Sequence, residues 1–371
     1  MPEHCSSGRP CSRAGLTGRL SPHRPAASHG CTLQDVMKLV IPGGSGQVGT
    51  LVARHATSRG DEVVVLSRAP AEPTPDAPWR TAAWNPEGEG AAHGRTLGPW
   101  ADELDGADAV LNLAGRSVDC RYTPANRRAI LDSRVASTRV VGKAIVRAKN
   151  PPPVWLQMST ATVYAHRFDT PNDEATGLIG GDEPGVPDTW RFSIDVARAW
   201  EAAARAACPA GTRLVLLRTA MVMSPDTGGV FDVLLRLVRL GLGGTSGSGR
   251  QFVSWIHDAD LVRALDWLVA HGDIDGPVNL VAPDPLPNAA FMRALRRAWG
   301  TRVGLPANRL MLEAGAFALR TETELVLKSR RVVPGRLLAG GFAFEQPVRP
   351  AAAADLAARW RATARRRGTR S

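Results

Sequence analysis

Residues 43–49, Gly43-Gly44-Ser45-Gly46-Gln47-Val48-Gly49, place glycines at 43, 46 and 49 between an apolar run and an amphipathic one. Such a trio permits a tight turn and a close backbone approach to a pyrophosphate. A helix opening inside it adds N–H groups and partial positive charge. The expected chemistry is the holding of a dinucleotide by Gly43, Gly44, Ser45, Gly46, Gln47, Val48 and Gly49. Behind the next apolar run, EVVVLS, stand Ser67 and Arg68, where an NAD site would carry a carboxylate for the ribose hydroxyl. A hydroxyl and a guanidinium suit a 2′-phosphate instead, so NADP (NADPH) is the expected cofactor and NAD the less favoured one. Further on, Arg218 ends LVLLR, and Arg250, Trp255 and His257 follow a Gly/Ser loop. Beyond the carboxyl ends of strands an arginine would bind a phosphate or carboxylate, and a tryptophan would stack on a ring. Arg218, Trp255 and His257 are therefore the expected substrate contacts. The alternative for WIHDAD is a strand-to-helix junction with Asp258 as cap.

Alternating strands and helices would position these residues. Segments 38–41, 62–67, 81–84, 107–113 and 154–159 read as strands, 47–59 and 124–149 as helices. Segment 166–189 reads as a loop whose acidic part, 169–188, has the makings of a lid, 190–207 as a helix, 213–222 as a strand, 230–240 as a helix and 241–249 as a mobile loop. Asp258 is expected to cap a helix at 261–271, and Asn288 one at 289–299, with a strand at 278–281 between them. This alternation predicts a parallel sheet with right-handed crossovers and helices on both faces. The expected fold class is α/β, a Rossmann-type doubly wound parallel sheet with a smaller C-terminal substrate-side region. Residues 1–36, rich in Ser, Pro, Gly and Arg without periodicity, read as a disordered extension or a misassigned start, so that Met37 begins the folded protein. The nucleotide-binding domain is expected at 37–300, with substrate-side elements mainly from 218–300. A small helical module at 301–350 and a basic tail at 351–371 complete the chain.

The chain has 371 residues, 44% apolar, enough for a full core. No apolar run reaches the roughly 18 residues of a membrane span, so no membrane is expected as partner. The net charge of +11 gathers partly in Arg359, Arg361, Arg365, Arg366, Arg367 and Arg370, and only four of the 46 basic residues are lysines. Such a tail reads as a solvated end, and no nucleic-acid partner is expected; salt-sensitive binding through it is the competing view. Three of the five cysteines lie before residue 37, which leaves Cys120 and Cys208 far apart. A disulfide framework is not expected, and the cytoplasm is the default compartment. The eight histidines show no ligand spacing, so no metal is expected.

GGSGQVG, VLSR, NLAG at 112–115 and AILDSRVASTR at 129–139 resemble the short-chain dehydrogenase/reductase superfamily. With RAWEAAA, LLRTAMVMSP, GLGGTSGSGRQFVSWIHDADL, GPVNLVAP and RRVVPGRLLAGGF, the chain resembles its epimerase-like atypical branch, NAD(P)-dependent epimerase/dehydratase-like with a C-terminal domain of unknown function, over about 37–346. The resemblance implies that Leu113, Ala114 and Arg134 line the cofactor site. It also implies a Tyr-x-x-x-Lys pair and a Ser or Thr ending the preceding strand. Ser159 and Thr160 stand at that strand end, but the pair is absent. Of two tyrosines, Tyr122 is followed four residues on by Asn126 and Tyr164 by Phe168. Matched against Glu201, Ser193 takes the tyrosine position and Ala197 the lysine position. The expected catalytic set is Ser159, Thr160 and a relocated acid, Tyr164, with His166 and Asp195 as alternatives. Three functions remain open: an NADP-dependent oxidoreductase or epimerase on a small, sugar-like or anionic substrate; hydride transfer with the proton from water or substrate; and a non-catalytic NADP(H) sensor or regulator. A small-molecule substrate and a homodimer are the expected partners.

Overall fold

The computed structural model describes residues 36–86, 97–308, 310–313 and 322–368. The expectations for residues 1–35 lie outside the described residues. Seven strands form one all-parallel sheet: β1 (Lys38–Pro42), β2 (Glu62–Ser67), β3 (Arg80–Ala83), β4 (Ala109–Asn112), β5 (Val154–Thr160), β6 (Arg213–Thr219) and β7 (Gly276–Leu280). Their order across the sheet is β7-β6-β5-β4-β1-β2-β3. The chain winds outward from β1 in one direction, then crosses to β4 and winds in the other. The reversal between β1 and β4 is a switch point, where the carboxyl ends of the strands leave a crevice.

Both faces of the sheet are covered, which is why β2 buries four apolar residues in a row, Val63 to Leu66. Side-chain alternation sends Leu39 and Ile41 to one face and Val40 to the other. The first face packs under α1 (Gln47–Ser58) and α5 (Asp258–Ala270), through Val52, Ala53, Leu261 and Leu265. The second packs under α2 (Pro124–Arg147) and α3 (Asp188–Ala207), through Val141, Ile145 and Ala204. Thr123 caps α2 by accepting the Asn126 N–H, with a proline in its first turn.

The predicted strand at 213–222 divides. After Thr219 the chain leaves the sheet, and Met221–Met223 pairs in parallel with Trp255–His257 in a separate ribbon. One apolar run serves two sheets, a division that periodicity cannot register. The predicted caps are also corrected. His257, not Asp258, caps α5, its Nδ1 accepting the Ala259 N–H at 3.2 Å. Asn288 is the first residue of α6 (Asn288–Trp299) rather than its cap, and its Oδ1 accepts the Ser246 N–H at 2.8 Å. That bond, with Gly247 N–H to the Ala307 carbonyl and Leu305 N–H to the Gly241 carbonyl, pins the 241–249 loop expected to be mobile.

The reading of 351–371 as a free basic tail is corrected as well. Arg349–Gly368 is a helix whose Ala352, Ala353, Leu356 and Ala357 are buried in one cluster with Phe291, Met292 and Leu295 of α6. A composition heavy in arginine concealed this small-residue stripe. The preceding segment holds the short helices Glu324–Leu327 and Gly335–Ala339, joined by a stretch threaded through the molecule. Arg330 N–H meets the Phe252 carbonyl, and Asn172 exchanges backbone bonds with Arg331 and Val333. Asn172 thereby ties down the acidic 166–189 loop, whose Glu174 accepts N–H bonds from Asn279 and Arg336. A freely closing lid does not fit these ties. Among the described residues no helix is long and apolar enough to cross a membrane.

Candidate functional site

The glycine loop joins β1 to α1 at the switch point. Gly43 has φ +74°, and a Cβ there would lie 2.6 Å from the Ala114 Cα. A Cβ on Gly49 would lie 2.2 Å from the Gly44 carbonyl oxygen, so these two glycines allow the loop, the helix start and the end of β4 to close up. Gly46 differs: a Cβ there would meet nothing within 4 Å. It is the N-cap of α1, with no side-chain cap and no acidic residue in the first turn. Bare amides therefore face open space, beside the exposed Ser45. Gln47 Nε2 is buried without a hydrogen-bond partner, and it lies against Gly229 at the start of helix α4 (Val230–Arg239). A buried orphan donor beside an uncapped helix end fits an acceptor-rich diphosphate.

The residues expected around this loop are placed accordingly. Ser67 is buried at the end of β2, its hydroxyl bonded to the Ala69 backbone. Arg68 is exposed and makes no ion pair or hydrogen bond among the described residues, which leaves its guanidinium available. Leu113 N–H bonds the Pro42 carbonyl at 2.9 Å, and Ala114 packs on Gly43. Arg134 donates to the Arg116 carbonyl at 2.9 Å and lies over the Trp200 ring; burial pushes its pKa down to about 10.

The expected catalytic residues enter a different arrangement. Ser159, Arg218 and Asn279 lie side by side on β5, β6 and β7. Ser159 Oγ donates to Glu201 Oε1 at 2.8 Å, and Arg218 grips both oxygens of Glu201 at 2.8 and 2.9 Å. Arg218 also donates to the Tyr164 hydroxyl at 3.0 Å, which donates to Asn279 Oδ1 at 2.9 Å. Burial alone would raise the Glu201 pKa; the bonds and charge of Arg218 outweigh it and hold the carboxyl below its usual range. Burial raises the Tyr164 pKa, with Arg218 opposing. Tyr164 is 2% exposed with both hydroxyl functions taken, so it is not presented as an acid to a substrate. Thr160 Oγ1 accepts the Thr162 N–H and caps a short turn.

The expected substrate contacts are likewise enclosed. Besides Arg218, Trp255 is fully buried and donates to the Asp284 carbonyl at 3.1 Å, with the Arg349 guanidinium over its ring. His257 holds its cap with Nδ1 and meets Asp355 through Nε2 at 3.1 Å. Both are framework residues in this structure. His166, an alternative for the relocated acid, is half-buried: Nδ1 accepts the Ser329 N–H at 2.8 Å, and its ring meets Phe168 and Trp190. Asp195 is exposed on α3.

Sequence reasoning missed one cluster. Tyr122 Oη lies 3.3 Å from Ser193 Oγ, which donates to Glu324 Oε2 at 2.5 Å. Tyr122 is fixed by its N–H to Glu322, by Arg127 Nε on its carbonyl and by the edge-on Phe192 ring. Lys328 and Arg330 flank Glu324 at 4.0 and 3.8 Å, and Lys328 Nζ donates to the Thr162 carbonyl at 2.7 Å. Burial, then the charge of Arg330, pushes the Lys328 pKa down to about 8. The available signal was scarcity: with only two tyrosines, both needed weighing in space rather than by spacing.

Comparison with known proteins bears on this arrangement. The chain matches the family described as NAD dependent epimerase/dehydratase family over residues 39–280 and a domain of unknown function, DUF1731, over 309–356. It is 32% identical over 325 residues to the human epimerase family protein SDR39U1, covering 87% of this chain and all of that one. It is 33% identical over 311 residues to the epimerase family protein MT2273 of Mycobacterium tuberculosis, covering 82% and 93%. The crystal structure of human SDR39U1 (isoform 2) with NADPH superposes with a TM-score of 0.71 at 30% identity, over 86% of this chain and 99% of that one. A nucleoside-diphosphate sugar epimerase from Corynebacterium glutamicum superposes with a TM-score of 0.63 at 27% identity, over 85% and 57%. With its parallel sheet, glycine loop and trailing DUF1731 segment, the chain belongs to the NAD dependent epimerase/dehydratase family, within the epimerase-like short-chain dehydrogenases/reductases.

Proposed function

We propose that this protein binds NADP(H) on the 43–49 loop and acts, as an epimerase-like short-chain dehydrogenase/reductase, on a small sugar-like or anionic substrate. The observation that carries the reading is the cradle: an uncapped helix end, open space at Gly46 and the orphan Gln47 Nε2. Arg68, exposed just after β2 and without an ion pair among the described residues, supports NADP over NAD. The human relative solved with NADPH supports the same choice, and the sugar epimerase from C. glutamicum supports a sugar-like substrate. When bound, the cofactor gives or takes a hydride. The chain's part is to hold the diphosphate on the loop amides, the 2′-phosphate on Arg68 and one wall of the cleft with Leu113 and Ala114.

Titration with NADPH and with NADH, followed by reduced-nicotinamide fluorescence, tests the reading. NADPH should bind the more tightly, and Arg68→Ala should weaken it by about tenfold or more while leaving NADH nearly unchanged. Binding of neither nucleotide would sink the proposal, and equal loss for both would remove the role of Arg68.

A second reading, an NADP(H) sensor without turnover, is favoured by Ser193 and Ala197 standing where the family's tyrosine and lysine belong. Substrate-dependent oxidation of NADPH in a carbonyl panel would end it. A cytoplasmic homodimer without a nucleic-acid partner completes the proposal; the buried stripe and ion pairs of the terminal helix support that last point.

A further inference from the structure

The proton of such a reaction still lacks a donor, since Tyr164 is consumed by Arg218 and Asn279. The missed cluster has the needed composition. It draws on three distant segments: the loop after β4, helix α3 and the C-terminal segment. Ser193 Oγ lies between Tyr122 Oη at 3.3 Å and Glu324 Oε2 at 2.5 Å; when Glu324 holds a proton it donates to Ser193, and Ser193 donates to the phenol oxygen, which leaves the phenol proton for the substrate. Among the described residues the second oxygen of Glu324 is buried without a hydrogen bond, with Arg330 and Lys328 at 3.8 and 4.0 Å. A half-bonded interior carboxyl is poor scaffolding, and buried titratable groups with perturbed surroundings concentrate at functional sites. The loop also leads to the cradle. It begins at Leu113 and Ala114 against the glycine turn, and Arg134 braces it at Arg116.

We propose that Tyr122 is the acid–base group of this protein, exchanging its phenol proton with the substrate oxygen, and that Ser193 and Glu324 are positioning residues that orient the phenol and pass the proton on. The proposal rests on the NADP(H) reading above. For a carbonyl substrate, one hydride from the reduced nicotinamide reaches carbon and one proton from Tyr122 reaches oxygen, leaving an alcohol. Ser193 returns a proton to the phenolate, the Glu324 carboxyl returns one to Ser193, and solvent reloads Glu324. Alcohol oxidation runs the same path backwards. The C-terminal segment then has a catalytic reason to be threaded back to α3: it brings the carboxyl.

The groups facing the phenol are Cys120 of its own loop, Arg134 of α2, Ser193 of α3, and Glu322, Glu324 and Arg330 of the C-terminal segment. Burial, then Glu324, Glu322 and Cys120, hold the Tyr122 pKa above its ordinary value, against the Ser193 bond and the charges of Arg134 and Arg330. Burial raises the Glu324 pKa as well, against Arg330, Ser193 and Lys328. Both groups are thus biased toward holding a proton.

The two tyrosines make the test direct. In the full chain carrying tyrosine labelled with 13C at Cζ, two signals are assigned by Tyr122→Phe and titrated with pH, with and without NADP+. Binding of NADP+ is followed separately by its displacement of fluorescent NADPH. The cationic nicotinamide should lower the Tyr122 pKa by about one pH unit and leave Tyr164 unmoved. In the free protein Glu324→Gln should lower the Tyr122 value and Ser193→Ala should raise it, opposite shifts that verify the contact of each with the phenol, while the NADP+-dependent shift is the readout that a purely structural role would not move. If NADP+ displaces NADPH while Tyr122 titrates unchanged, or Tyr164 moves instead, the assignment is overturned and the nucleotide reading stands. If neither nucleotide binds, both fall together.

Discussion

Glu201 ties three neighbouring strands together through a single side chain. It binds Ser159 of β5 and Arg218 of β6, and through Arg218 reaches Tyr164 and Asn279 of β7. Charges at such depth persist only when each finds its partner. Tyr164 thus closes a structural network beneath the carboxyl ends of the strands. Tyr164→Phe should cost about 1–2 kcal/mol in chemical denaturation, the loss of its hydroxyl bonds, and leave NADPH affinity unchanged. A large fall in NADPH affinity with intact stability would return Tyr164 to the site. The sequence marked Ser159, Arg218 and Tyr164 as polar residues near strand ends, and that placement is correct. It carried no record that Glu201, forty-two residues from Ser159, would bind Ser159 and Arg218, and that Arg218 would in turn hold Tyr164.

At the scale of elements, the terminal helix is held by shape and by polar anchors, chief among them an ion pair with α5. Alanines at 352, 353 and 357 let it approach α6 closely, and Arg359 grips both oxygens of the buried Asp258 at 2.8 and 2.7 Å. Asp258 sits in the first turn of α5, where the helix dipole adds to the attraction for a carboxylate. Arg359→Ala should lower stability by about 1–3 kcal/mol, because the arginine end remains partly screened by water. Thermal denaturation of Arg359→Ala, Asp258→Asn and the double variant would read the coupling, and strictly additive effects would show that the pair contributes nothing. The elements themselves were largely legible from hydrophobic period: β2 lies at 62–67 as read, and α1 and α2 each end within two residues of expectation. Caps were less legible, since a histidine Nδ1 rarely caps a helix and Asp258 stood one place along as the more usual choice.

Across the whole molecule, the C-terminal segment binds the substrate side to the sheet. Lys328 is a buried tether of that segment, 1% exposed and donating to the Thr162 carbonyl just past β5. Its pKa, pushed down to about 8 from 10.5, has a definite consequence for stability. Below about 8 the lysine is charged in both folded and unfolded chains. Between about 8 and 10.5 the unfolded chain binds more protons, so stability should rise with pH across that window. Lys328→Met should abolish a rise of about 1–3 kcal/mol. Both tyrosines titrate higher when folded and pull the other way, equally in the two proteins, so the difference between wild type and variant is the quantity to measure. A difference that stays flat above pH 8 would contradict the account.

The local code alone determined the nucleotide cradle and the doubly wound sheet. A glycine turn between a strand and a helix needs only residues 38–58, and the burial of a parallel strand is written in its own side chains. Tertiary structure decided what each tyrosine touches, which side chain caps α5 and whether the arginine-rich end is tail or helix. Each of these depends on a partner far along the chain: Glu322 lies 200 residues from Tyr122, Asp355 lies 98 from His257 and Arg359 lies 101 from Asp258. A side chain's chemistry is set by what surrounds it, and for these residues the surroundings exist only once the chain has closed on itself.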